Sequence, residues 1–174
     1  VKNAEDKLWE AFCNGKAAID EGPLREELCN SDMKEACLRA YRHQIPDIHL
    51  YEGIRELLER LHKAGVKIGI ITDGRPEGQW AKIRALGLEE LTDSILITDE
   101  LGGTQFRKPN DIAFRIMQLR LGVPFNQMLY VGDNVDKDFQ APKMLGMQWI
   151  YFCNEDGIYF QNNDSVGTMV TSIK

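Results

Sequence analysis

Between residues 51 and 152 the chain repeats one pattern four times: a helix-patterned stretch, a glycine, then a short apolar run. Residues 51–64 carry Ile54, Leu57, Leu58 and Leu61 on one face and charged side chains on the other. Gly65 follows, where a helix C-terminus favours glycine. Residues 66–71 are then apolar and close on Thr72-Asp73-Gly74. The stretch 80–86 ends at Gly87 and leads to 94–98. The stretch 112–121 ends at Gly122 and Pro124 and leads to 128–131. The stretch 139–145 ends at Gly146 and leads to 148–152. Short continuous apolar runs read as strands buried on both faces. Alternation with helices of this length predicts an α/β fold, a doubly wound parallel sheet with helices on both faces. Residues 154–167 are polar and loop-like, and 169–173 read as a last edge strand.

The first forty-odd residues are different. Leu8, Ala11 and Phe12 share one helix face, as do Met33, Ala36, Cys37 and Ala40, and Gly22-Pro23 separates the two pieces. Helices in so short a segment cannot hold a core of their own. The expected division is a helical region over 1–45 and an α/β core over 46–174. A formal net charge of −6 argues against nucleic acid or an anionic membrane as the partner. A local lysine or helix N-terminus can still receive a small anion. No apolar run reaches membrane-spanning length and no secretory signal is present. Cys13, Cys29, Cys37 and Cys153 form no CxxC pair, so buried, reduced thiols in a cytoplasmic protein are expected.

Three strand ends carry chemistry. Ile71-Thr72-Asp73-Gly74 offers a hydroxyl and free backbone N–H groups that can hold a phosphate oxygen, although a threonine can also simply end a strand. Arg107-Lys108-Pro109 precedes a helix and can set an ammonium over an anion, although most lysines are solvated surface. Gly132-Asp133, with Asn134, Asp136 and Asp138 after it, groups hard oxygen ligands that suit Mg²⁺, although an acidic turn capping the next helix has the same composition. All three fall where open α/β sheets bind ligands, beyond the carboxyl ends of strands. Arg75 is a further cation near the first of them, with solvated surface as its ordinary state.

Residues 45–152 resemble the haloacid dehalogenase superfamily of phosphohydrolases. An apolar strand ending in Thr or Ser matches Ile68 to Thr72. A lysine followed by proline matches Lys108-Pro109. Gly-Asp with a second Asp five residues on matches Gly132-Asp133 and Asp138. The stretch ahead of the lysine, from Thr98 to Gly102, is similar to the family's approach to that motif, and the N-terminal helices resemble its helical cap. The resemblance implies a Mg²⁺-dependent phosphatase of a small phosphorylated metabolite, with Thr72, Lys108 and Asp133 as its catalytic groups. Thr72, Asp73 and Gly74 would hold phosphate oxygens, with Lys108 neutralising their charge. Asp133 would ligate the metal, with Asp138 beside it orienting ligands or waters.

One family motif is missing: an apolar strand ending in Asp-x-Asp-x-Thr/Val, which carries the nucleophile and precedes the cap. Ala17 to Gly22 is the nearest match and lacks the second Asp. The expectation is therefore a polypeptide that continues beyond both ends, or one that binds phosphate without turning it over. The absent strand would leave two strands unpartnered beside an apolar trench, filled by further residues of the protein or by another chain. The rival function is a non-catalytic phosphate-binding or interaction module of a larger protein. A nucleotide-binding or receiver-like doubly wound domain is a third reading, against which stands the lack of a GxGxxG turn after a strand.

Overall fold

A computed structural model of the chain describes residues 4–14, 31–154, 157–159 and 169–170. The chain divides into two compact units, Val1–Gln44 and Ile45–Lys174. The first contains helices α1 (Ala4–Cys13) and α2 (Ser31–His43). Ala11 is buried and Leu8 half-buried, as the spacing predicts. On α2 the expected apolar face is not covered: Ala36, Cys37 and Ala40 are exposed. These side chains are small, and the Glu35–Arg39 pair on the same helix is solvated, so little apolar area calls for burial. Cys37 is thus an exposed thiol, contrary to expectation, whereas Cys153 is buried. The side chains of Phe12, Met33 and Cys13, and the segment holding Ala17 to Gly22, Pro23 and Cys29, lie outside the described residues.

The second unit runs α3 (Ile54–Lys63), β1 (Gly69–Thr72), α4 (Pro76–Ala85), β2 (Ser94–Ile97), α5 (Ile112–Leu121), β3 (Leu129–Gly132), α6 (Gln140–Leu145), β4 (Gln148–Phe152) and β5 (Met169–Val170). Boundaries shift for local reasons. The left-handed turn at Gly53 delays α3. Pro76, with no N–H to lose, opens α4 earlier than the apolar pattern suggests. The Ile68 N–H is taken by the Asp93 carboxylate before β1 pairs with β2.

Pairing is parallel throughout, but the strands form two sheets. In one, β1 lies on β2 with Ile70 opposite Ile95 and Thr72 opposite Ile97. In the other the order is β3-β4-β5, with Tyr130 opposite Trp149. Among the described residues, no strand pairs with the second edge of β1 or of β3. A cavity of about 910 Å³ lies between them, lined by Ile70, Leu129 and Val131 among others, with Leu58 of α3 above. Leu129 and Val131 are 53% and 44% exposed, although they belong to an apolar run of the kind that is normally covered on both faces.

Helix α5 contributes to two of the core clusters. Ala113, Phe114 and Met117 are buried, and they pack toward Leu96, Ala141 and Met147. Contact with β1 is close: a Cβ at Gly69 would lie 2.5 Å from the Met117 sulfur, and Met117 would have to shift to admit it. Among the described residues, no helix is long and apolar enough to cross a membrane.

Candidate phosphate and metal site

The first loop leaves the end of β1. Thr72, the last strand residue, is half-buried, and its hydroxyl donates to Gln79 Oε1 at 2.7 Å. Asp73 does not face solvent. Its carboxylate accepts from the Thr98 hydroxyl at 3.0 Å, the Lys108 backbone N–H at 3.1 Å and the Lys137 ammonium at 2.9 Å. Burial opposes ionisation of Asp73, but Lys137 and Lys108 outweigh it and hold the carboxyl below the usual range. Gly74 has φ 137°, a conformation open to glycine, and its backbone N–H reaches Asp99. Asp99 in turn binds Arg107 through both oxygens, at 2.7 and 2.6 Å. Three loops are thereby fixed to one another through two carboxylates.

The second element is Lys108. Pro109 lies ahead of α5, whose first helical residue is Ile112, so it is not the opening residue of the helix. The Lys108 ammonium is buried, 2.8 Å from Asp138 Oδ1, and donates to the Tyr130 hydroxyl at 3.1 Å. Burial disfavours its charge, but the Asp138 carboxylate and the hydrogen bond to Tyr130 more than offset this and hold the Lys108 pKa above the ordinary lysine range. Burial pushes the Tyr130 phenol up to about 12, against the pull of Lys108. Tyr130 is therefore neutral at pH 7, and the ion-pair partner of Lys108 is Asp138.

The third element follows β3. Asp138 is buried and also accepts from the Asn134 N–H at 3.0 Å. It lies over the backbone of Gly132, where a Cβ would meet its Oδ2 at 2.6 Å. Asp133 is half-buried, and among the described residues it has no lysine or arginine within ion-pair distance. Burial and the neighbouring Asp138 raise its pKa, opposed by its own backbone N–H. Two carboxylates that repel in this way suit a cation held mainly by Asp133. Mg²⁺ takes one or two carboxylates and keeps several waters. Asp138 already accepts from Lys108 and the Asn134 N–H, so Asp133 is the carboxylate of the two that could take a cation. Among the described residues no group of three or more His, Cys, Asp or Glu could hold a metal unaided.

Asp73 of the first loop is thus bonded to the backbone of Lys108, and the Lys108 side chain to Asp138 of the third loop. Asp136 and Arg75 are exposed. Sequence reasoning missed four contributors. Lys137 is hidden in an acidic turn, though its place next to Asp138 was a usable signal. Tyr130 reads as an ordinary apolar strand residue. Thr98 and Gln79 have no local signature, because their partners lie 25 and 7 residues away.

A family model described as haloacid dehalogenase-like hydrolase matches residues 14–152. The chain is 35% identical over 116 residues to a glyceraldehyde 3-phosphate phosphatase of Methanocaldococcus jannaschii, covering 67% of this chain and 45% of that protein. It is 33% identical over 113 residues to the enzyme of the same name from Pyrococcus abyssi, covering 65% and 44%. The chain thus spans about half the length of the curated relatives it matches. Among solved structures, CbbY from Rhodobacter sphaeroides in complex with phosphate superposes with a TM-score of 0.63 at 21% identity, covering 82% of this chain and 63% of that one. At that identity the likeness is one of fold.

Proposed function

The chain belongs to the haloacid dehalogenase-like hydrolases, and from that premise we propose that it forms the phosphate- and cation-holding part of a Mg²⁺-dependent phosphatase of a small phosphorylated metabolite. The observation that carries the reading is the linkage of Asp73, Lys108 and Asp138 into one contact chain where β1 and β3 end. Thr72 and the backbone N–H of Asp73 bind phosphate oxygens, the Gly74 N–H being taken by Asp99, and Lys108 supplies a fixed positive charge nearby. Asp133 holds the metal, which when bound would neutralise charge on the transferring phosphoryl group. The names of the relatives support phosphorylated small molecules as substrates.

Of the three aspartates at these strand ends, Asp73 and Asp138 are each held by donors, and Asp133 is the one proposed for the cation, which leaves none of the three to attack. We place the nucleophile on a further strand lying between β1 and β3. Both flanking strands are parallel to their neighbours and have an edge open toward the cavity, so the added strand would be buried on both faces and apolar in sequence. Its carboxyl end would reach the loops that hold Thr72 and Asp133. The same observation favours a second reading, a module that binds phosphate without turnover, if that strand carries no aspartate. Calorimetric titration of inorganic phosphate, with and without Mg²⁺, tests the binding half of the proposal. Mg²⁺ should tighten phosphate binding, and a phosphate affinity indifferent to Mg²⁺ would count against it.

A further inference from the structure

We propose that Gln79 sets the direction of the Thr72 hydroxyl and so decides whether the phosphate site can accept an anion. The inference rests on the reading of Thr72 as a phosphate ligand. Gln79 stands in the first turn of α4 and reaches back over the loop to Thr72. Gly74 leaves it the room: a Cβ there would lie 2.8 Å from Gln79 Nε2 and 3.3 Å from its Cγ. The neighbouring Asp73 is fixed by three donors. The proton of the Thr72 hydroxyl is therefore the adjustable part of this loop.

A hydroxyl has one hydrogen. While Gln79 Oε1 accepts it, Thr72 presents only lone pairs to an incoming phosphate, and lone pairs repel an anion. Half a turn about the terminal torsion of Gln79, which is soft, puts Nε2 against Thr72 Oγ1 instead. The amide then donates, and the hydroxyl hydrogen is released toward a phosphate oxygen. An amide can do both because it carries a donor and an acceptor on one planar group. A carboxylate of the same size can only accept and would hold the hydrogen away from the ligand. Gln79 is a positioning residue that acts through Thr72.

The test measures inorganic phosphate affinity of the intact protein for the wild type, Gln79→Glu, Gln79→Met, Thr72→Val and the Thr72→Val/Gln79→Glu double variant, between about pH 5 and pH 8. Dividing each profile by the wild-type profile removes the titrations of phosphate, Asp73 and Asp133. Gln79→Glu should weaken binding about ten-fold or more at the upper pH, the worth of one hydrogen bond to a charged group. The loss should shrink toward pH 5 as the introduced carboxyl gains a proton and can donate. Gln79→Met should show a smaller loss that does not vary with pH. In the Thr72→Val background Gln79→Glu should cost nothing further, because no hydroxyl remains to be held. The inference is overturned if Gln79→Glu matches the wild type at every pH, or if its loss persists undiminished in the Thr72→Val background, as a charge acting directly on phosphate would require. Affinity unchanged by Thr72→Val alone would remove the phosphate-site reading itself, and the inference with it.

Discussion

Lys108 and Asp138 meet at 2.8 Å with only 9% and 2% of their side chains exposed, although one follows β2 and the other follows β3 of a different sheet. A second pair runs the opposite way, from Lys137 after β3 to Asp73 after β1. Each sheet lends the other one lysine and one aspartate. No strand among the described residues joins the sheets at β1 and β3, and these crossed pairs are part of what links them at the site.

The buried pair should behave as a unit. Lys108→Met leaves the Asp138 carboxylate buried beside a neutral neighbour and should cost about 3–5 kcal/mol in urea-induced unfolding. Adding Asp138→Asn should recover part of that loss, because the stranded charge is then gone. A Lys108→Met variant within about 0.5 kcal/mol of wild type would show that the pair carries no structural weight.

Gly132 is required by space and not by backbone conformation. Gly132→Ala puts a methyl group 2.6 Å from Asp138 Oδ2, and Asp138 cannot retreat without giving up Lys108 or the Asn134 N–H. The substitution should cost about 1–3 kcal/mol and weaken Mg²⁺ binding together with stability. A neutral melting shift would mean that Asp138 relaxes freely.

The Asp73 carboxyl is held below its ordinary value of 3.8 by Lys137 and Lys108, against the cost of burial. A depressed folded pKa contributes stability that is present above the unfolded value and lost as pH falls through the folded one. The stability gap between wild type and Asp73→Asn should therefore be constant above about pH 5 and close as acid is added below about pH 4. Stability curves measured by denaturant at successive pH values check this. A gap that widens in acid would reverse the assignment.

Asp133→Asn should weaken Mg²⁺ binding about ten-fold or more, since it removes the carboxylate proposed to touch the ion. Asp136→Asn, on the exposed side of the same turn, should change it little. Equal losses in calorimetric titration would reduce the cluster to a diffuse acidic surface.

The helix and strand order was legible because apolar runs and glycine stops are local signals, and β1 to β4 form within two or three residues of the runs that predict them. The separation into two sheets among the described residues is something no residue in the chain announces directly. Less legible was how the site's charges pair. Asp73 looked like part of a turn offering backbone N–H groups, but its carboxylate gathers Thr98, Lys108 and Lys137 from 25, 35 and 64 residues away. Such contacts depend on how strand ends are brought together in space, and spacing along the chain carries no trace of them. On α2 the helical period was read correctly, but period alone does not report whether anything covers Ala36, Cys37 and Ala40.

The central claim is that these residues form the phosphate and metal part of a hydrolase whose attacking carboxylate arrives on a strand between β1 and β3. The most direct measurement is Mg²⁺-dependent release of phosphate from p-nitrophenyl phosphate, by the 174-residue chain and by the same chain extended at Val1 with an apolar strand ending in Asp-x-Asp-x-Thr. The account predicts release only from the extended chain, and its loss by several orders of magnitude when the first aspartate of that strand is replaced. Release by the 174-residue chain alone, abolished by each of Thr72→Val, Lys108→Met and Asp133→Asn, would contradict it.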